Sequence, residues 1–330
     1  MTAPPPFTGN IQLPTSLNQK DLPAHSGEPE GAEWIWGKDD NVNPKIRWTT
    51  PKCWRPPENP PPTNGDPSSG AVALETKEAF NWAYQAELDP SGGDGKYSEL
   101  DGSSTSRNVW PEEQDLPGFF AGFKPYYGEM LQLSRHLVRL FALSLALPET
   151  HFDSAVTHPG GVSRLLYYPL TEASTKHQPD DESTVEPLKT TGIRPHCDFE
   201  CFTILLQTQS SGLQVLSPDG SWVDAEPLGN TFVVNIGELM TRMTNGLYKS
   251  TMHRVLNPTK TERYSIPFFF SVNYDSIVEP LPTCVTPANP PRYSRVTAGE
   301  YTIERLRLAV GNGIIILIME FFDRVGQGLY

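Results

Sequence analysis

His196 and Asp198 stand as His-x-Asp, and His253 follows inside a second strand-like run from Ser250 to Leu256. Side chains at i and i+2 of a strand project to one face. Phe199, Cys201, Phe202, Thr203, Ile204 and Leu205 suit a strand, so the spacing predicts that His196 and Asp198 point the same way, with Cys197 opposite. His253 then needs only a neighbouring strand to join them. Two imidazoles and one carboxylate on one face of a metal ion leave three positions open, which suits a non-heme Fe(II) centre that must also bind a co-substrate and O2. Arg263 and Ser265 repeat the i, i+2 spacing. A guanidinium fork beside a hydroxyl is a receptor for the carboxylate of an organic acid.

The elements that must position these groups are short strands. Val162–Tyr168 reads as one, followed by Leu213–Leu216, a turn at Ser217-Pro218-Asp219-Gly220, Trp222-Val223 and Thr231–Asn235. Strands at this spacing predict a β-barrel or jelly roll. Gly237–Arg242 reads as one helical turn. Leu74–Tyr84 reads as a short helix, and a longer one begins near Pro117 and ends near Pro148, burying Met130, Leu133, Leu137, Leu140, Phe141 and Leu145. His136 on that helix reads as a surface residue. Phe269 shares a face with Arg263 and Ser265, where core packing outweighs a pocket role. Thr171–Thr191 is polar and precedes the metal strand, which fits either a lid or a solvated insertion.

Four segments result. Residues 1–72 are Pro- and Gly-rich and too polar to order easily. Residues 73–160 form a helical support region, 161–310 the jelly roll, and 311–330 an apolar tail shorter than the ~20 residues a membrane span takes. The fold class expected is mainly β with flanking helices. A formal charge of −13 over 330 residues argues against nucleic acid as a partner. Four scattered cysteines suggest neither a disulfide framework nor a cysteine-rich zinc site. The start, Met1-Thr2-Ala3-Pro4, has no basic and apolar leader pattern. A cytoplasmic protein with no membrane partner is expected.

From about Lys77 to Leu308 the chain resembles the 2-oxoglutarate- and Fe(II)-dependent dioxygenases of the isopenicillin N synthase-like superfamily, and within it is similar to thymine-7-hydroxylase-type enzymes. The matching blocks include Asn108–Gln114, Arg164–Pro169, His196-Cys197-Asp198, Asn235–Leu239, Ser250–Val255 and Arg263–Ile266. The resemblance implies a double-stranded β-helix, with Fe(II) held by His196, Asp198 and His253. It also implies that 2-oxoglutarate is gripped by Arg263 and Ser265. In the family's Asn-x-Tyr, which also touches the co-substrate, Tyr168 matches and Leu166 replaces the asparagine. The family's opening strand, helix and strand have no counterpart in residues 1–70. The activity implied is oxidation of a small organic substrate, apolar or heterocyclic, by O2 with release of succinate and CO2. Hydroxylation is the default outcome, desaturation or ring closure share its first step, and natural-product biosynthesis is the suggested setting. Arg194, Glu200, Arg242 and Asn245 are the polar candidates for orienting the substrate. The alternatives are a same-fold oxidase that does not use 2-oxoglutarate, a zinc hydrolase, for which Arg263 and Ser265 have no evident use, and a non-catalytic jelly-roll binding protein.

Overall fold

Alternation of side chains decides how the larger sheet is covered. In the strand Arg263–Phe270, the residues Tyr264, Ile266, Phe268 and Phe270 take one face, and Arg263, Ser265, Pro267 and Phe269 the other. The apolar face needs a cover and the polar face needs a cavity. In the computed structural model helix packing supplies the cover. The structure describes residues 77–97, 100, 108–170, 191–208, 210–257 and 261–310.

Numbered in chain order, the strands are β1 (Glu78–Ala83), β2 (Gly161–Tyr168), β3 (Thr191–His196), β4 (Phe202–Gln207), β5 (Leu213–Leu216), β6 (Trp222–Asp224), β7 (Val233–Ile236), β8 (His253–Leu256), β9 (Arg263–Phe270), β10 (Ile277–Val278) and β11 (Val296–Thr297). The helices are α1 (Phe119–Ser144), α2 (Glu238–Met243) and α3 (Ala298–Val310). An antiparallel sheet ordered β1-β2-β9-β4-β7 faces a second ordered β3-β8-β5-β6, and β10 pairs with β11. From β2 to β5 the chain changes sheet at each strand, and it does so again from β6 to β9. This is the double-stranded β-helix, or jelly roll, that was expected.

The outer face of the larger sheet packs on α1. Phe80, Trp82, Leu165, Phe202, Ile204, Ile266, Phe268 and Phe270 form one buried cluster with Phe123, Tyr126, Tyr127, Met130, Leu131 and Val138 of the helix. A fully buried side chain of this size contributes about 1.5–3 kcal/mol, so this face carries most of the packing. The inner layer is thinner: Ala79, Leu166, Tyr168, Leu205, Leu213 and Val255. Among the described residues no helix is long and apolar enough to cross a membrane.

Three expectations are corrected. Leu74–Tyr84 is no helix where it is described: Glu78–Ala83 is β1, paired along its length with β2, and it buries Phe80 and Trp82 against α1. The helical reading rested on the run Glu75–Phe80, whereas pairing with β2 makes its described part a strand with Phe80 and Trp82 on one face. The long helix exists and buries Met130 and Leu145 as expected, with Leu133, Leu137 and Phe141 packed against the core, but Leu140 is 60% exposed and the buried face extends over Phe123, Tyr127, Leu131, Ser134 and Val138. The aromatic first half of the helix, Phe123, Tyr126 and Tyr127, widens that face against the sheet. The single strand expected through His196 and Asp198 is broken: β3 ends at His196, residues 197–201 turn, and β4 starts in the other sheet. The 1–72 and 311–330 segments, His177, Cys53 and the candidate lid up to residue 190 lie outside the described residues.

Candidate active site

The turn between β3 and β4 is shaped by α2. The backbone N–H groups of Gly237, Glu238 and Leu239 donate to the carbonyls of Cys201, Asp198 and Phe199, at 2.9, 2.9 and 3.1 Å. Leu239 N–H also reaches the Glu200 carbonyl at 3.2 Å. The approach is close enough that a Cβ on Gly237 would fall on the Glu200 carbonyl oxygen. Asp198 thus leaves the strand, and the helix start aims it.

His196 and His253 are direct cross-strand partners of β3 and β8, with ring centroids 4.3 Å apart. The Nε2 atoms of both lie 3.7 Å from Asp198 Oδ1, and the donor atoms of all three residues fall within 4.8 Å of one another. The surroundings assign each atom a role. His196 Nδ1 lies 2.8 Å from the Arg194 carbonyl, and His253 Nδ1 lies 3.0 Å from the Thr251 carbonyl. A carbonyl only accepts, so each Nδ1 carries the proton and each Nε2 keeps its lone pair inward. Asp198 Oδ2 accepts from Thr203 Oγ1 at 2.6 Å and Asn235 Nδ2 at 2.8 Å. Oδ1 is left facing the two imidazoles. Burial, reinforced by His253, pulls the His196 pKa down, which favours the neutral ligand form. This donor set fits one divalent ion held by two nitrogens and one oxygen, with the opposite side open.

Arg263 and Tyr168 are cross-strand partners, as are Ser265 and Leu166, and all lie on the inner face. Arg263 is 1% exposed. One terminal nitrogen donates to Ser265 Oγ at 3.3 Å, the other to Gln207 Oε1 at 3.1 Å, and the guanidinium sits 4.8 Å from the centroid of the Tyr168 ring. Its Nε has no hydrogen-bond partner. Every group found around it is neutral, so among the described residues this buried cation has no carboxylate partner. Burial pulls its pKa down.

Arg164 of β2 shares that inner face, two residues from Leu166. Its guanidinium lies 5.4 Å from the Phe269 ring centroid and its Nε is buried without a hydrogen bond. Phe269 is half-buried and pairs with Thr203, the residue that anchors Asp198. Phe269 thus lies on the inner face beside the residue that anchors Asp198, in contact with Arg164. Glu200 follows Asp198 in the same turn; burial and the Asp198 charge push it up to about 7.

Sequence reasoning missed Thr203, Asn235, Gln207 and Arg164. Thr203 and Gln207 sit on β4 with the period-two spacing that faces the cavity, which was a usable signal. Two proposed orienting residues are committed elsewhere. Arg242 donates to the Ser294 carbonyl and lies over the Tyr293 and Tyr301 rings. Asn245, 1% exposed, bonds the backbone of Asn289, Pro290 and Arg292. His136 turns Nδ1 to its own helix, at the Gln132 carbonyl.

A jelly roll with an inward His-x-Asp…His trio and a buried arginine that has no carboxylate partner among the described residues defines a class: metal-site oxygenases of the double-stranded β-helix fold. The sequence pattern of the 2OG-Fe(II) oxygenase superfamily matches residues 159–272. The chain is 30% identical to a 2OG-Fe(II) oxygenase family protein of Caulobacter crescentus, with 75% of this chain and 74% of that one covered and a TM-score of 0.59. It belongs to this superfamily. It is also similar to the full-length thymine-7-hydroxylase of Neurospora crassa in complex with alpha-KG and thymine, at 28% identity and TM-score 0.62 over 80% of this chain and 77% of that one. The 2-oxoglutarate-Fe(II) type oxidoreductase hxnY of Emericella nidulans is 41% identical over 58% of this chain. The chain spans 52% of that relative's length.

Proposed function

We propose that this protein is a 2-oxoglutarate- and Fe(II)-dependent dioxygenase acting on a small organic substrate. His196, Asp198 and His253 hold Fe(II), while Arg263 and Ser265, with Tyr168 beside them, receive the far carboxylate of 2-oxoglutarate. The observation that carries the reading is Arg263 itself. A buried cation with only neutral neighbours costs several kcal/mol, and a dicarboxylate entering the cavity removes that cost. Iron, when bound, supplies the oxidising chemistry with O2 and 2-oxoglutarate, which leaves as succinate and CO2.

The chain's own contribution is binding and order. The Nδ1 contacts hold both imidazoles in the ligating tautomer, and Thr203 with Asn235 fixes the carboxylate. Leu166, Leu205, Leu213 and Val255 keep the inner layer apolar, which excludes water around the reacting groups. Phe269 offers a flat surface and Arg164 a donor with an unused Nε. An apolar or heterocyclic substrate laid on Phe269, with an acceptor edge towards Arg164, suits this pair. Hydroxylation, desaturation and ring closure are all compatible with it. Natural-product biosynthesis in the cytoplasm is the setting we favour. Similarity to a fungal 2-oxoglutarate-Fe(II) oxidoreductase and three free cysteines among the described residues support that choice.

The test is an anaerobic titration of the Fe(II)-loaded chain with 2-oxoglutarate, followed by an assay for succinate release under O2 without added substrate. A weak visible charge-transfer band and slow uncoupled succinate formation are expected. Stoichiometric iron with no band on adding 2-oxoglutarate overturns the reading.

A further inference from the structure

The metal-binding turn has a second support besides α2, and it comes from the far end of the fold. Helix α3 opens with reciprocal capping: Thr297 Oγ1 accepts from Glu300 N–H, and Glu300 Oε2 accepts from Thr297 N–H, at 3.2 and 3.0 Å. Its first turn is tied down by Ala298 N–H to the Ser276 carbonyl and Gly299 N–H to the Tyr274 carbonyl. Two turns in, Arg305 forms an ion pair with Glu238, its Nε 2.6 Å from Oε2 but without hydrogen-bond alignment, and Tyr301 donates to the same oxygen at 2.8 Å. The Arg305 guanidinium also lies 5.1 Å from the centroid of the Phe199 ring.

Glu238 and Phe199 are both attached to the metal ligand Asp198. Phe199 is its covalent neighbour, and Glu238 N–H donates to the Asp198 carbonyl. One guanidinium thus contacts two groups joined to Asp198, the Glu238 carboxylate and the Phe199 ring. We propose that Arg305 is a positioning residue, through which α3 latches the turn 197–201 and sets the aim of Asp198. The latch rests on the metal-site reading above. Arg305 is not one of the three clustered ligand residues. An arginine fits this place better than a lysine, since its delocalised planar cation can lie over a ring while its edge stands at ion-pair distance from a carboxylate.

Partners that orient metal ligands typically control affinity by about 10–100-fold. Arg305 acts through Glu238 and Phe199 rather than on Asp198 itself, so a loss near the lower end, about 10-fold, is expected. The experiment titrates the metal-free full chain with Co(II) alone, reading its visible absorption, and measures hydrogen exchange at the amides of Gly237, Glu238 and Leu239. Arg305→Ala should weaken Co(II) binding about 10-fold and speed exchange at those three amides. Arg305→Lys, which keeps the charge but not the stacked plane, should recover part of both. A merely structural role would lower the melting temperature while leaving the Co(II) titration and these amides unchanged in the folded protein, and that result overturns the latch. If Arg305→Ala does not fold, Glu238→Gln is read the same way, and an unchanged titration and exchange there is equally fatal. Failure of the wild-type chain to take up Co(II) would sink the metal reading instead, and the amide exchange still judges the latch by itself.

Discussion

Asp198 has its two oxygens divided between two tasks. Oδ2 is saturated by Thr203 and Asn235, and only that leaves Oδ1 free to face the imidazoles. Removing either donor should let the carboxylate rotate and compete with itself. Asn235→Ala and Thr203→Ala are each expected to lower metal affinity by about 10–100-fold, measured by titrating the metal-free protein while its melting temperature is followed. Arg263 invites a sharper experiment because its charge is harmful to the empty fold. Arg263→Met should weaken 2-oxoglutarate binding by about 2–5 kcal/mol, at least ~30-fold. The same substitution should leave the melting temperature of the metal-free chain unchanged or raised, since a buried unpaired cation is gone. Steady-state KM for 2-oxoglutarate and a thermal melt together check both halves.

At the scale of elements, the turn 197–201 depends on how closely α2 can approach it. Gly237 has ordinary extended backbone, with φ −104° and ψ 178°. Its requirement is therefore space, because a side chain there would meet the Glu200 carbonyl. Gly237→Ala should push the turn outward, at an overpacking cost of about 1–3 kcal/mol, and weaken metal binding more than it weakens the fold. Denaturant midpoints set against Co(II) affinity would separate the two effects. Loss of stability with affinity intact would show that the turn is held by other contacts.

At the scale of the whole molecule, one buried ion pair ties the segment after β1 to α1. Asp89 bonds Arg135 through both oxygens, at 2.9 and 2.7 Å, and the Asp89 side chain is fully covered. Tyr84 donates to the same carboxylate at 3.0 Å. Burial pushes the Asp89 carboxyl up, but Arg135 and Ser91 outweigh it and hold the pKa below its ordinary value. A folded pKa below the unfolded one means stability that is present above the carboxylate range and fades as pH falls through the folded value. Asp89→Asn should therefore cost about 3–5 kcal/mol near neutral pH, and its melting curve should converge on that of the wild type in acid. Melts across a pH series decide it; a constant gap would refute the linkage.

The sequence by itself marked the candidates: the His196/Asp198 and Arg263/Ser265 pairs were legible from donor type and i, i+2 spacing, and His253 from its place in a second strand-like run, and the fold brings the two histidines and Asp198 together. The jelly roll was legible too, from apolar runs at even spacing. The exposure of Leu140 on α1, the strand at Glu78–Ala83 and the break after His196 were not, because local pattern cannot say which face another element will cover. The tertiary structure alone decided that Asp198 is aimed by a turn rather than a strand. That turn exists only because N–H groups of α2, distant in sequence, satisfy carbonyls which a continuous strand would have spent on its neighbours.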